Sequence, residues 1–224
     1  MKQLSQSEFK RFDMTTPPKR QRLQPLIWAL SFPDVKKHKS EITKVNMESI
    51  KPPYLLFVNH NAFLDFKVAA KATFPHRCNS VVSIDGFLIG EWLLRTAGCI
   101  CKRKFTKDLT VVKHLKRVVD NGDIAVIYPE ARYSLCGTNA VLPDSLGKLA
   151  KLLKVPVVTI INHGHHINSP FWNLAERGNR VESTMTCLMR VEDVKKKSAE
   201  EINAAIQNEF RYDDFKWQWD NKIK

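Results

Sequence analysis

A chain of 224 residues is long enough to bury one hydrophobic core and fits one domain with an appendage. Its formal charge of +13 favours an anionic partner (a phosphate, a nucleic acid or an acidic membrane face) without choosing among them. No apolar run reaches the ~20 residues of a membrane-spanning helix, the polar N-terminus lacks the apolar stretch of a secretory signal, and five cysteines without a C-x-x-C pair point to reduced thiols in a cytosolic setting.

Residues 1–24 are polar and basic, with Pro17-Pro18-Lys19-Arg20-Gln21-Arg22, and read as a poorly ordered lead-in. Leu23 to Phe32 is apolar, holds Trp28 and has Lys19, Arg20 and Arg22 before it and Lys36, Lys37 and Lys39 after it. Two readings stand for it: a helix packed on the core, or a segment in a membrane interface with its lysines on anionic lipid. After Pro52-Pro53, strands and helices alternate. Strands are expected at Tyr54–Val58, Ser80–Ile84, Cys99–Cys101, Ile124–Tyr128, Val155–Ile161 and Val181–Val191. Helices are expected at Phe63–Phe74, Phe87–Ala97, Asp108–Val119, Ser145–Leu153 and Ser198–Phe210, the last opened by a Ser198–Glu201 capping box. Tyr212 to Lys224 reads as a docked tail or a point where the chain was cut. The alternation predicts a single α/β domain with a mostly parallel or mixed central sheet flanked by helices.

Three stretches carry chemistry. The first is Asn59-His60-Asn61-Ala62-Phe63-Leu64-Asp65, where a strand runs into His60 and Asp65 follows at the start of a helix. A carboxylate reaching back from the first helical turn holds one imidazole nitrogen and leaves the other to take a proton. A histidine bracing a strand-to-helix turn leaves the same short string. The second is Tyr128-Pro129-Glu130-Ala131-Arg132-Tyr133-Ser134, on a strand exit where ligands gather in α/β sheets. There Arg132 suits a phosphate, and Glu130 a hydroxyl or the arginine itself; a structural Glu–Arg pair is the plainer reading. The third is Gly98-Cys99-Ile100-Cys101-Lys102-Arg103-Lys104, a strand that ends in three successive cations, which is a phosphate site or a solvated basic loop.

With Val155-Pro156-Val157-Val158, these stretches form an ordered set over residues 53–165 that resembles the glycerolipid acyltransferase family, whose best-known members are 1-acylglycerol-3-phosphate O-acyltransferases. The family's blocks are N-H-x-x-x-x-D, a Gly-x-Ile run ending in a base, Phe-Pro-Glu-Gly-Thr-Arg-Ser and Val-Pro-Val-Val. The chain departs from them at Ala62, often serine in the family, and at Ala131, Arg132 and Tyr133, where the family has glycine, threonine and arginine. The second block leaves its register open between Arg103 and Lys104.

The resemblance implies an acyltransferase domain over 51–211, preceded by a basic arm with a candidate membrane-interface segment (1–50) and followed by a tail (212–224). It implies transfer of a fatty acyl group from acyl-CoA or acyl carrier protein, as co-substrate, to the hydroxyl of a lysophospholipid, with 1-acylglycerol-3-phosphate giving phosphatidic acid. His60 acts as general base and Asp65 holds its tautomer. Arg103, Lys104 and Arg132 hold the acceptor phosphate and Glu130 its glycerol region. No metal or cofactor is required, and no G-x-S-x-G elbow is present. The partners are the acyl donor, the lysophospholipid and an anionic membrane surface, with no nucleic acid; the location is cytoplasmic, peripheral on the inner face of the cell membrane. The altered third block keeps open a different lysolipid or an amine acceptor, and the charge keeps open a non-catalytic basic membrane-binding protein. Asn162-His163-Gly164-His165-His166 looks like a metal cluster but lacks a further ligand at suitable spacing, so a loop lining the groove is expected. Cys99 and Cys101 read as small strand residues rather than nucleophiles.

Overall fold

The computed structural model describes residues 12–103, 106, 108–134, 136–168 and 180–222, with the backbone alone for Ile89. Seven strands form one sheet: β1 (Glu41–Val45), β2 (Leu55–Val58), β3 (Cys78–Ser83), β4 (Ile100–Lys102), β5 (Ile124–Ile127), β6 (Val157–His163) and β7 (Glu182–Met189). Their order is β1-β7-β6-β2-β5-β3-β4. The five strands from β6 to β4 run parallel, β7 is antiparallel to β6, and β1 is parallel to β7. The expected mixed, mostly parallel α/β sheet is therefore present.

Chemistry at the strands explains this order. β2 is buried along its whole length and pairs with β5 on one side and β6 on the other, so an uninterrupted apolar run was required. Leu55 and Phe57 enter a core with Val111, Leu115 and Val118 of helix α4 (Leu109–Asp120) and Ile202 and Ile206 of helix α8 (Ala199–Glu209). Leu56 and Val58 face the opposite core with Ala69 and Ala72 of helix α2 (Leu64–Thr73). Each such fully buried Leu or Phe contributes about 1.5–3 kcal/mol of transfer free energy. β7 alternates strictly between buried and half-buried residues. β1 is an outer strand with one half-buried residue, Ile42, and charged Glu41 and Lys44, so its pattern carries little strand signal and also discourages further pairing.

The helices are closed by local side chains. Asp108 accepts from Thr110 N at the start of α4, and Ser198 and Glu201 form the expected capping box on α8. Helix α3 (Ile84–Thr96) begins three residues earlier than Phe87, because Ser83 caps it, and it kinks at Gly90. Helix α5 (Leu146–Leu153) lies so close to α8 that a Cβ on Gly147 would sit 1.8 Å from the Ala199 carbonyl oxygen.

The expected lead-in is ordered where it is described. Arg20 Nε lies 3.2 Å from Asp123 Oδ2, its Nη2 donates to Asn121 O, and Gln21 is buried. Helix α1 (Gln24–Lys37) continues through Pro33 and packs against α2, burying Gln24, Ser31 and Val35. It leaves Leu26, Leu30 and Phe32 exposed; the packing on α2 is the helix-on-the-core reading of this segment. Three short helices complete the described fold: α6 (His165–Asn168), α7 (Val191–Lys196) and α9 (Asp214–Asp220). Among the described residues, no helix is long and apolar enough to cross a membrane.

Candidate active site

β2, β5 and β6 are neighbours, and their carboxyl ends bring three turns together. Asn59 leaves β2 fully buried and locks the first turn to β6: its side-chain amide donates to Asn162 O, and its Oδ1 accepts from Asn162 N. His60 follows. Its backbone N–H donates to Glu130 Oε2 at 2.9 Å and its carbonyl accepts from Ser134 N at 2.8 Å, so both sides of this peptide are fixed by the β5 exit.

Asp65, in the first turn of α2, is completely buried. Its Oδ2 lies 3.2 Å from His60 Nδ1 and accepts from the backbone amides of Asn61 at 2.6 Å and Ala62 at 2.9 Å. Its Oδ1 lies 2.6 Å from Nδ1 of His165. Burial pushes the Asp65 carboxyl up, but the hydrogen bonds from His165 and His60 and their positive potential outweigh it and hold the group below the ordinary carboxylate value. With Nδ1 of His60 committed to Asp65, Nε2 is the nitrogen left for a substrate. The His60 side chain is about one-fifth exposed, at 19%.

Glu130 is buried among protein donors. Besides His60 N it accepts from Ala140 N at 3.2 Å, and the Tyr212 hydroxyl lies 2.8 Å from Oε1. Burial raises its carboxyl above the usual range, against the pull of these hydrogen bonds. The same hydroxyl is 2.9 Å from Asn61 Oδ1, and Asn61 Nδ2 donates to the buried Asp214 Oδ2 at 3.3 Å. The segment from Tyr212 into α9 is thus part of the floor beneath the His60 turn.

The expected phosphate-binding cations are dispersed. Arg132 is exposed on the β5 exit, two residues from Glu130. Arg103 is exposed at the end of β4, on the same sheet edge. Three strand spacings separate β4 from β2, roughly 14 Å, so Arg103 and His60 serve one ligand only if it is extended. Lys104 lies outside the described residues. The structure thus gathers His60, Asp65 and Glu130, sets Arg132 at their margin, and places Arg103 farther along the edge.

The histidine-rich stretch divides its members. His163 ends β6, lies 3.4 Å from Asp214 Oδ1 and stacks on Trp217. With Thr138, Asn139, Arg211 and Trp217 it lines an open groove of about 660 Å³. His165 turns inward to Asp65, and His166 is buried. Among the described residues, no three His, Cys, Asp or Glu side chains come together as a metal site. Burial pushes the Cys99 thiol up to about 12 and the Cys101 thiol up to about 11, which keeps both protonated and poorly nucleophilic.

A family model described as Acyltransferase matches residues 35–165, more than half of the chain. The chain belongs to the acyltransferase family. No curated protein sequence matches the chain significantly. Among solved structures, the chain is similar to the 1-acyl-sn-glycerophosphate (LPA) acyltransferase PlsC from Thermotoga maritima, with a TM-score of 0.66 at 16% identity over 84% of this chain and 77% of that one. The glycerolipid acyltransferase resemblance read from the four sequence blocks is borne out by the family match, and the fold by the structural likeness. The protein is an O-acyltransferase by family.

The departures of this acyltransferase from its family pattern now have places. Ala131 takes the third-block glycine position at φ 56°, a left-handed conformation that costs a residue with a Cβ about 1–2 kcal/mol. Tyr133, at the arginine position, lays its ring against His60 with centroids 4.1 Å apart, and Tyr128 does the same at 4.4 Å. Sequence reading missed His165, Tyr212 and Asp214 as neighbours of the His60–Asp65 turn. They lie far along the chain from Asp65, and no spacing rule connects them to it; the histidine cluster was the one available signal, and its residues were read as groove lining.

Proposed function

We propose that this acyltransferase moves a fatty acyl group from an acyl thioester to the free hydroxyl of a lysophospholipid, with 1-acylglycerol-3-phosphate as the acceptor and phosphatidic acid as the product. The observation that carries the reading is the His60–Asp65 contact at the carboxyl end of β2, with Nδ1 on the carboxylate and Nε2 left over. Nε2 takes the proton of the acceptor hydroxyl as its oxygen attacks the thioester carbonyl. Asp65 stabilises the resulting imidazolium. Collapse of the tetrahedral intermediate breaks the carbon–sulfur bond, and the departing thiolate takes the proton back from His60. The acceptor's own oxygen is the nucleophile, so neither Cys99 nor Cys101 is needed.

Arg132, the cation of the third block, binds the acceptor phosphate; Arg103 meets the same or a second phosphate farther along the sheet edge, and Lys104 is the second block's alternative cation for it. Glu130 contributes by holding the His60 turn beneath the glycerol region of the acceptor. The amphiphilic acceptor is drawn from an anionic membrane surface met by Leu26, Leu30 and Phe32 of α1 with Lys36 and Lys37 at its end. This makes the enzyme peripheral on the cytoplasmic membrane face. The donor is acyl-CoA or acyl carrier protein.

Tyr133 favours a second reading. It fills the family's arginine position with a ring against His60, which suits an acceptor without a phosphate beside the reacting hydroxyl, or an amine. One experiment separates the two. Wild type and His60→Ala receive lysophosphatidic acid, other lysolipids and amines, each with acyl-CoA and with acyl carrier protein, and products are read by mass spectrometry. Phosphatidic acid from wild type alone establishes the first reading. Product from another acceptor establishes the second. No product from a folded, liposome-bound wild type overturns both and leaves a non-catalytic membrane-binding protein.

A further inference from the structure

The Asp65 carboxylate serves two histidines. Its Oδ2 is surrounded by three donors from the His60 turn: His60 Nδ1 and the amides of Asn61 and Ala62. Its Oδ1 meets Nδ1 of His165 at 2.6 Å, closer than the 3.2 Å contact to His60. Asp65 and His165 are both fully buried, so bulk water does not replace a lost partner. His165 reaches this position because Gly164 turns the chain at φ 82° directly after β6. The facing partner is a carboxylate, so Nδ1 of His165 carries the hydrogen, and its Nε2 is buried without a hydrogen-bond partner among the described residues.

We infer that His165 is a positioning residue for the transfer: by donating from Nδ1 to Oδ1 of Asp65 it keeps that carboxylate a pure acceptor, and so fixes the His60 tautomer whose Nε2 takes the proton. The inference rests on the reading of His60 as the base. The physical reason is a competition for one proton. A buried carboxylate oxygen without a donor is expensive, and the cheapest relief is protonation. A protonated Asp65 would donate to Nδ1 of His60, put the hydrogen on Nε2 and abolish the base. The hydrogen bond from His165 heads the influences that hold the Asp65 carboxyl low against its burial.

The other groups facing Asp65 do not take over this role. Tyr128 and Tyr133 from the β5 exit, and Tyr212 from the C-terminal segment, are phenols that burial holds protonated. Glu130 is a second carboxyl whose charge opposes that of Asp65. Asp214 lies behind Asn61 and adds the same sign. Removing His165 therefore raises the proton affinity of the His60–Asp65 pair as a unit, and the pH below which activity fails moves upward.

The test uses the full chain with 15N-labelled histidine, assigned with His60→Gln and compared as wild type, His165→Leu and His165→Asn. In wild type at the pH of full activity, His60 and His165 should both show hydrogen on Nδ1 and a bare Nε2. In His165→Leu, the protonation midpoint of His60 and the acid limb of kcat/KM should rise together by about one pH unit. kcat should fall by up to about 100-fold, with KM for acceptor and donor within about twofold. His165→Asn, whose amide still donates, should return the limb toward wild type. A purely structural His165 would lower the melting temperature and leave the midpoint where it is, and that result in folded His165→Leu overturns the inference. Hydrogen on Nε2 of His165 in the wild-type spectrum overturns it without any variant, so a leucine variant that fails to fold does not protect it. If wild type transfers no acyl group while the His60 midpoint still moves in His165→Leu, the transfer reading falls and the linkage between the two histidines stands.

Discussion

The hydroxyl of Tyr212 sits 2.8 Å from Oε1 of Glu130, a contact between residues 82 positions apart that supports the turn carrying His60. Glu130 in turn receives the His60 backbone amide, so the phenol holds the carboxylate that holds the His60 turn. Tyr212→Phe removes one O–H and leaves the acceptors on Glu130 and Asn61 without that donor. The expected loss is about 1–3 kcal/mol in urea unfolding, together with a lower kcat. Unchanged values of both would show that the contact supports nothing.

His60→Ala is expected to reduce acyl transfer by roughly 100- to 10,000-fold, the usual worth of a general base. Cys101→Ala is expected to retain most activity, since the Cys101 thiol is pushed up to about 11 and sits buried on β4. Steady-state rates of the two variants, with folding checked by circular dichroism, decide the matter: equal losses would remove His60 from its role.

Arg132→Ala should raise KM for a phosphate-bearing acceptor, roughly 10-fold or more for a lost charge-assisted contact, and leave KM for the donor alone. Tyr133→Arg restores the family's side chain at its position and should shift acceptor preference toward phosphate. A panel of lysolipids with and without a headgroup phosphate measures both.

Stability at acid pH follows from Asp65. Its folded carboxyl is held below the ordinary value, burial being outweighed by the two histidines, so the folded chain binds that proton less readily than the unfolded chain. The stabilising contribution is complete above the unfolded value of about 3.9 and is lost as pH falls through the lower folded value. Urea unfolding between about pH 7 and about pH 3 should show the stability difference between wild type and Asp65→Asn shrinking toward acid.

Gly147→Ala places a methyl group 1.8 Å from the Ala199 carbonyl oxygen, a backbone atom that cannot swing aside. α5 and α8 must separate, which also loosens the bond from Gly147 N to Asn203 Oδ1. The expected cost is about 1–3 kcal/mol, with T-jump or urea midpoints as the measurement.

The central strands, the helices between them and the His60–Asp65 turn were legible because local patterns produce them: continuous apolar runs for β2 and β5, a helical period and cap for α4, and a histidine and an aspartate five residues apart. β1 was not legible, because an outer strand that buries little needs no apolar pattern. The order in the lead-in was hidden for a related reason: Arg20 holds it through Asp123 and Asn121, about a hundred residues away in sequence. His165 and Tyr212 entered the site through tertiary approach alone.

The position of β7 has a consequence for how the chain is assembled. β1 is made early, yet its partner in the sheet is β7, which also covers the outer edge of β6. Until residues 182–189 emerge, residues 41–45 have no neighbour and the β6 edge is an open template of unpaired amides and carbonyls. β6 is also the strand that delivers His165 to Asp65. Closure of the sheet is therefore a late, long-range step of the kind that slows folding and exposes intermediates to aggregation. A nascent chain halted before β7 carries His60 and Asp65 in place along the sequence but holds an unprotected edge beside them.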